Sequence, residues 1–189
     1  MLVSFEKFLE IASHKVYEEA ISTFKCENDV EVEKFLKLRA LQFESTAKSR
    51  TYLIIAEEDL IIHGKVRILA YYTVALQTLK IPEEISNNQI KKLDGYSARK
   101  VGEKITEISA FLIGQLGKND LFGENINGDV IIESALSILM RVRKLIGGRI
   151  VFVECLDKPE LINFYERNGF KVFRQDPLDK LIQMVRNLE

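Results

Sequence analysis

The chain has no tryptophan, two cysteines, two histidines and three prolines among its 189 residues, and each scarcity closes off some chemistry. Cys26 and Cys155 lie far apart, so they form neither a CxxC pair nor a disulfide framework, and they suit a reducing compartment. His14 and His63 stand alone, without the spacing that a metal site requires. Charge of either sign is not in excess: 27 Lys and Arg face 28 Asp and Glu, for a net charge of -1. That balance gives no global pull toward nucleic acid or an anionic membrane. No apolar run approaches the ~20 residues of a membrane span. Glu6, Lys7 and Glu10 interrupt the first helical pattern, unlike the core of a signal peptide. A cytoplasmic protein with no membrane partner is expected. A Gly-Lys-Ser/Thr triplet and a G-x-G-x-x-G run are both missing, which excludes Walker-type and Rossmann nucleotide sites. There is no linker, repeat or low-complexity tract, so residues 1–189 are read as one domain with an ordinary apolar core.

What is present is a sequence of clear local patterns. Leu2, Phe5, Phe8, Leu9, Ala12 and Val16 recur at helical steps, predicting one extra N-terminal helix over 1–20. A second amphipathic segment runs from Asp29 to Ala47. RTYLIIA and KVRILAYYTVALQTLKI are β-rich and predict a hairpin, turning at the polar EEDLIIHG. Residues 82–104 are polar, with Lys91, Lys92, Arg99, Lys100 and Lys104, and read as an inserted loop or mobile cover. ITEISAFLIGQLGKND predicts a strand buried on both faces, and DVIIESALSILMRVRKLI a helix stopped by Gly147 and Gly148. Further on, IVFVE and FKVF predict strands flanking a short helix from Lys158 to Arg167. Asp157 serves as cap, Pro159 stands in the first turn, and Asn168-Gly169 form the stop. A last strand lies near KLIQMVRN. This order implies one mixed sheet covered on both faces.

Two stretches carry candidate chemistry. GQLGKNDLFGENINGDVIIESAL sets a strand end, a glycine-bearing loop and a helix N-terminus in succession, where main-chain amides and the helix dipole suit a phosphate. Glu124 and Asp129 in it would repel an anion unless they point outward. In INFYERNGFKVF, Tyr165 precedes a helix stop, either as core filler or as an acid. Glu154 and Glu107 are candidate bases near strand ends, and Cys155 has no nearby histidine to activate it.

Taken together, FKCENDVEVEKFLKLRA, SRTYLII, ILAYYTVAL and INFYERNGFKVF resemble, in order, the GNAT-type acetyl-CoA-dependent N-acetyltransferases, closest to the branch with bacterial toxin acetyltransferases. The resemblance covers nearly everything from Ile21 onward. It implies a three-layer α/β fold whose central mixed, mostly antiparallel sheet splays between two strands, with helices on both faces. It also implies acetyl-CoA as co-substrate, with no metal. By position the pantetheine arm would pair with Leu116, Gly117 and Lys118, and the pyrophosphate would lie in the loop Gly123, Glu124, Asn125, Ile126, Asn127, Gly128 and Asp129. Of the family's key loop places, held here by Gly123, Ile126 and Gly128, only Gly128 keeps the pattern. Tyr165 matches the tyrosine that protonates the departing thiolate, and Phe164 is expected to pack on the sheet. The leading expectation is direct acetyl transfer to a primary amine of a small molecule, peptide or protein. The alternatives are an aminoacyl-tRNA acceptor, with residues 91–104 as its basic surface, and a non-catalytic acyl-CoA- or partner-binding module. A homodimer is compatible with all three.

Overall fold

Alternation in RTYLII buries Thr51, Leu53 and Ile55 on one face and so builds the strand β2 (Arg50–Ile55). The computed structural model describes residues 1–57, 65–95 and 105–188. The turn read at EEDLIIHG and the basic residues Arg99, Lys100 and Lys104 lie almost wholly outside these residues, as does His63. β2 pairs antiparallel with β3 (Ile68–Lys80), Arg50 facing Val74 and Ile55 facing Ile68, as the hairpin pattern predicts. β4 is Glu107–Lys118, β5 Ile150–Cys155, β6 Lys171–Gln175 and β7 Ile182–Asn187. With β1 (Leu2–Ser4) they form a seven-stranded sheet in the order β1-β2-β3-β4-β5-β7-β6. The pairs β1 with β2, β5 with β7 and β6 with β7 are antiparallel as well.

The chain begins differently from its pattern. Leu2, Val3 and Ser4 pair with Ile54, Leu53 and Tyr52, adding an edge strand where one continuous helix is predicted. Two short helices follow, α1 (Phe5–Ile11) and α2 (His14–Ser22). Ser4 and Ser13 explain the division, because their side chains accept from Lys7 N and Val16 N and start a helix each. The segment from Asp29 is helical as expected, but in three pieces: α3 (Val30–Lys34), a π-helical turn (Phe35–Arg39) and α4 (Ala40–Ser45). Residues 82–104 hold a helix, α5 (Asn87–Asp94), where a loop is predicted. Its capping box between Ser86 and Gln89 fixes the first turn despite the polar composition. β4 is not buried on both faces throughout: Glu107, Ser109, Gly114 and Lys118 are exposed. α6 (Gly128–Ile146) and α7 (Pro159–Arg167) match their patterns. At α7 the N-cap is Lys158 without a side-chain bond, not Asp157, and Pro159 occupies the first position. Gly169, with φ of 81°, supplies the left-handed stop.

The chain gathers into two compact units, Met1–Ala75 with Ile113–Ser137, and Leu76–Leu112 with Ile138–Glu189. The core of the first is built on Phe5, Phe8, Phe24, Leu36, Leu53 and Ile68, and burying each of these is worth roughly 1.5–3 kcal/mol. The second is built on Leu79, Ile90, Ile108, Ile150 and Phe152. Among the described residues, no helix is long and apolar enough to cross a membrane.

Candidate active site

The strand end that the sequence singles out belongs to the first unit. β4 has twelve residues, of which Ile113 to Lys118 belong to this unit. Leu116 is half-buried, Gly117 buried and Lys118 exposed. The chain then enters a short 3-10 helix, Asp120–Asn125, begun by Asn119, whose side chain accepts from Leu121 N. Lys118 folds back so that its Nζ donates to the carbonyl of Gly123 at 3.3 Å, which sets a cation over the glycine loop. Arg67 adds a second, its guanidinium 4.6 Å from the centre of the Phe122 ring. At the start of α6, the Asn127 side chain accepts from Asp129 N at 3.0 Å, and its carbonyl accepts from Val130 N and Ile131 N. Glu124 and Asn125 are exposed, Ile126 and Gly128 half-buried. Lys118 is thus brought onto Gly123, the first residue of the loop that runs to Asp129.

Gly117 is a point of close approach. A β-carbon there would lie 2.4 Å from Val32 Cγ1 and 3.7 Å from Cys26 Sγ. The start of α3 therefore presses on the end of β4. It is anchored there by Glu33, whose carboxylate accepts from Cys26 N at 3.0 Å and Lys37 Nζ at 2.7 Å, with Lys25 Nζ 3.6 Å away. Burial pushes the Cys26 thiol up to about 11, so it is a protonated space-filler rather than a nucleophile. Tyr71 and Tyr72, the aromatic pair of ILAYYTVAL, are both fully buried. Tyr71 donates to the carbonyl of Val32, while Tyr72 stacks on Tyr52 and shares a hydrogen bond with Ser134 Oγ at 3.1 Å. Burial raises both phenols, that of Tyr72 to about 12, so neither is a proton donor suited to neutral pH.

The second unit carries Tyr165. Its ring is 8% exposed and meets Phe164 edge-on at 5.0 Å and Phe170 at 5.7 Å. Phe164 is half-buried, with the Arg167 guanidinium 5.0 Å above its ring. Glu154, at the end of β5, accepts from Gln183 Nε2 at 2.7 Å. The same Gln183 accepts from Arg174 Nε at 2.6 Å, so that carboxylate is held from beneath by a buried amide. Glu107, the first residue of β4, is exposed. Burial raises the Cys155 thiol, against a nucleophilic role. His14 is exposed beside Glu18 at 3.6 Å in the first unit. Among the described residues, no group of three His, Cys, Asp or Glu could hold a metal ion. What sequence reasoning missed is Asn119, which is fully buried, and the crowding of Val32 on Gly117. An asparagine after a strand reads as a turn residue, so no sequence signal marked it.

The sequence matches no protein-family model and no curated protein. The fold does match solved structures along its whole length. A crystal structure of AtaTR bound with acetyl-CoA has a TM-score of 0.70 at 14% identity, covering 100% of this chain and 93% of that one. A tyrosine-to-phenylalanine mutant of KacT has a TM-score of 0.69 at 19% identity, covering 100% and 94%. AtaT complexed with acetyl-methionyl-tRNAfMet has a TM-score of 0.68 at 15% identity, covering 97% and 92%. The chain has the mixed α/β fold of GNAT-type toxin structures, with a mostly antiparallel seven-stranded sheet.

Proposed function

We propose that this chain is an acetyl-CoA-dependent N-acetyltransferase whose acceptor is the free amino group of an aminoacyl-tRNA. The carrying observation is that it spans the fold of AtaT end to end, and AtaT structures hold acetyl-CoA and acetyl-methionyl-tRNAfMet. We take residues 1–189 as one acetyltransferase domain acting in the cytoplasm. The boundaries between its two units fall inside β3, β4 and α6 rather than in linkers, which supports that reading.

The strand end suits the thioester carrier. Leu116, Gly117 and Lys118 end β4, and their main-chain groups are assigned to the pantetheine arm. Lys118 over the loop and the amides from Gly123 to Asp129 suit its pyrophosphate. The uncharged amine attacks the thioester carbonyl and forms the C–N bond, while the carbonyl oxygen takes the electron pair. An amide near Leu116 holds that oxyanion, an effect worth several kcal/mol, about 2.7–4 for one donor. Collapse breaks the C–S bond, and Tyr165 gives its proton to the thiolate. A phenol within reach can lend its proton to the departing thiolate or hydrogen-bond it as charge develops. The amine's proton leaves to Glu154 or to water. Gln183 fixes Glu154 in one orientation, which favours it over Glu107.

The test is incubation of the purified chain with radiolabelled acetyl-CoA and a set of charged tRNAs. Label transferred to the aminoacyl group of at least one tRNA is the expected result. Label on small amines but on no charged tRNA would overturn the acceptor and keep the transferase. The departure at Gly123 and Ile126 favours a second reading, an acyl-CoA-binding module without turnover. Tight acetyl-CoA binding with no transfer to any amine would establish it.

A further inference from the structure

We propose that Asn119 is a positioning residue for the thioester carrier, fixing the end of β4 and the first turn of the loop in one arrangement. This rests on the acetyl-CoA reading above. Asn119 is 0% exposed, and a buried carboxamide must place both its donors and its acceptor. Its Nδ2 donates to the Ile68 carbonyl at 2.9 Å. Its Oδ1 accepts from Lys25 N at 3.1 Å and from Leu121 N at 3.2 Å. Its main-chain N donates to the Leu69 carbonyl at 2.7 Å, and its own carbonyl accepts from Phe122 N at 2.9 Å. Three separate pieces of chain thus meet on one residue: the start of β3, the segment ahead of α3, and the 3-10 helix. Asp120 repeats the tie, its N donating to the Lys25 carbonyl at 2.9 Å and its Oδ2 accepting from Glu27 N at 2.6 Å.

An asparagine that only shaped a turn would need the bond to Leu121 alone. The bonds to Lys25 and Ile68 reach 94 and 51 residues along the chain and serve no local turn. Asn119 directly follows Lys118, so the torsions it fixes set how Leu116 to Lys118 present their main-chain groups. They also set where Lys118 Nζ meets the Gly123 carbonyl. The same residue therefore governs both halves of the proposed carrier site.

The test is calorimetric binding of CoA to the wild type, Asn119→Ala and Asn119→Ser, with steady-state rates beside it. Asn119→Ala should weaken CoA binding at least tenfold and raise the KM for acetyl-CoA more than it lowers kcat. Asn119→Ser, whose hydroxyl can still accept from Leu121 N, should fall between the two, and it carries the test if the alanine variant fails to fold. Phe8→Leu, a change in the core around α1, serves as the stability control and should leave affinity within twofold. Unchanged CoA affinity in both Asn119 variants would overturn the positioning role alone. Equal weakening by Phe8→Leu would overturn it too, because a purely structural residue would then explain the loss. A wild type that binds no CoA would overturn the acetyltransferase reading and this inference with it.

Discussion

Val32 and Gly117 occupy adjoining space with no room for one more carbon: a β-carbon on Gly117 would stand 2.4 Å from Val32 Cγ1. Nonbonded carbons pack at about 3.5–4.0 Å, so Gly117→Ala must displace α3 or the end of β4. The expected loss is about 1–3 kcal/mol of stability, as for other overpacked sites. A second change, Val32→Ala, should restore part of it, with a coupling of roughly 0.5–3 kcal/mol in a double-mutant cycle. Denaturant unfolding of the four proteins measures both. Additive losses would mean that the two residues do not compete for space.

Tyr165→Phe keeps the ring between Phe164 and Phe170 and removes only the hydroxyl. If that hydroxyl protonates the leaving thiolate, kcat should fall by about 10²–10⁴ with little change in the KM for acetyl-CoA. Stability should change by no more than about 1.5 kcal/mol, the value of one hydrogen bond. Thiol release from acetyl-CoA, followed beside thermal unfolding, separates the two effects. An undiminished kcat would remove Tyr165 from the chemistry.

Acid should loosen the segment that presses on Gly117. The hydrogen bond from Lys37, then that from Cys26 N, hold the Glu33 carboxyl down to about 2 from its ordinary 4.5. Because the folded value is the lower one, the stabilisation is complete above about 4.5 and is lost as pH falls toward 2. Glu33→Gln should therefore be less stable than the wild type at neutral pH, and the gap should close across that window. Urea midpoints of both proteins at stepped pH test this, and a constant gap would refute it.

An aminoacyl-tRNA acceptor calls for a basic surface, and the second unit offers one. Lys91 and Lys92 are exposed in the last turn of α5, and the Arg149 guanidinium packs against Gly95, which ends that helix. Reversing all three to Glu should weaken transfer to charged tRNA and leave a small-amine reaction unchanged. The slope of log affinity against log salt should become shallower by roughly one for each phosphate that the altered surface no longer neutralises. Filter binding of charged tRNA across a salt series gives that slope, and an unaltered slope would move the tRNA surface elsewhere.

The sheet was largely legible where strands declare themselves locally, as RTYLII and ILAYYTVAL do by alternation and β-branched content. The start of the chain was not, because Leu2 to Ser4 become a strand only through the free edge of β2, which no local pattern displays. Ser4 and Ser13 each start a helix, but the apolar spacing from Leu2 to Val16 fits two helices as well as one and hides the break. α5 was hidden by its polarity, although Ser86 and Gln89 spell its capping box. At the candidate site, the order of strand, glycine loop and helix was readable because it lies within a single stretch. The role of Asn119 was not, since its partners Lys25 and Ile68 are distant in the chain and only folding assembles them.

The widened turn from Phe35 to Arg39 settles a mismatch of winding. Val32, Leu36, Ala40 and Glu44 are all buried and recur every fourth residue, whereas an α-helix returns to the same side every ~3.6, so that row would creep sideways by about 40° at each step. The looser coil takes up the creep and keeps Glu44 aimed at β2, where its carboxylate receives Arg50 Nη1 at 2.8 Å and Thr51 N at 2.9 Å. A chain shortened by one residue there would rewind as ordinary α-helix through about the same total angle, so Glu44 would stay aimed at β2 and the hairpin would keep its first rung: the turn is the one place in this helix that can lose a residue without turning the rest.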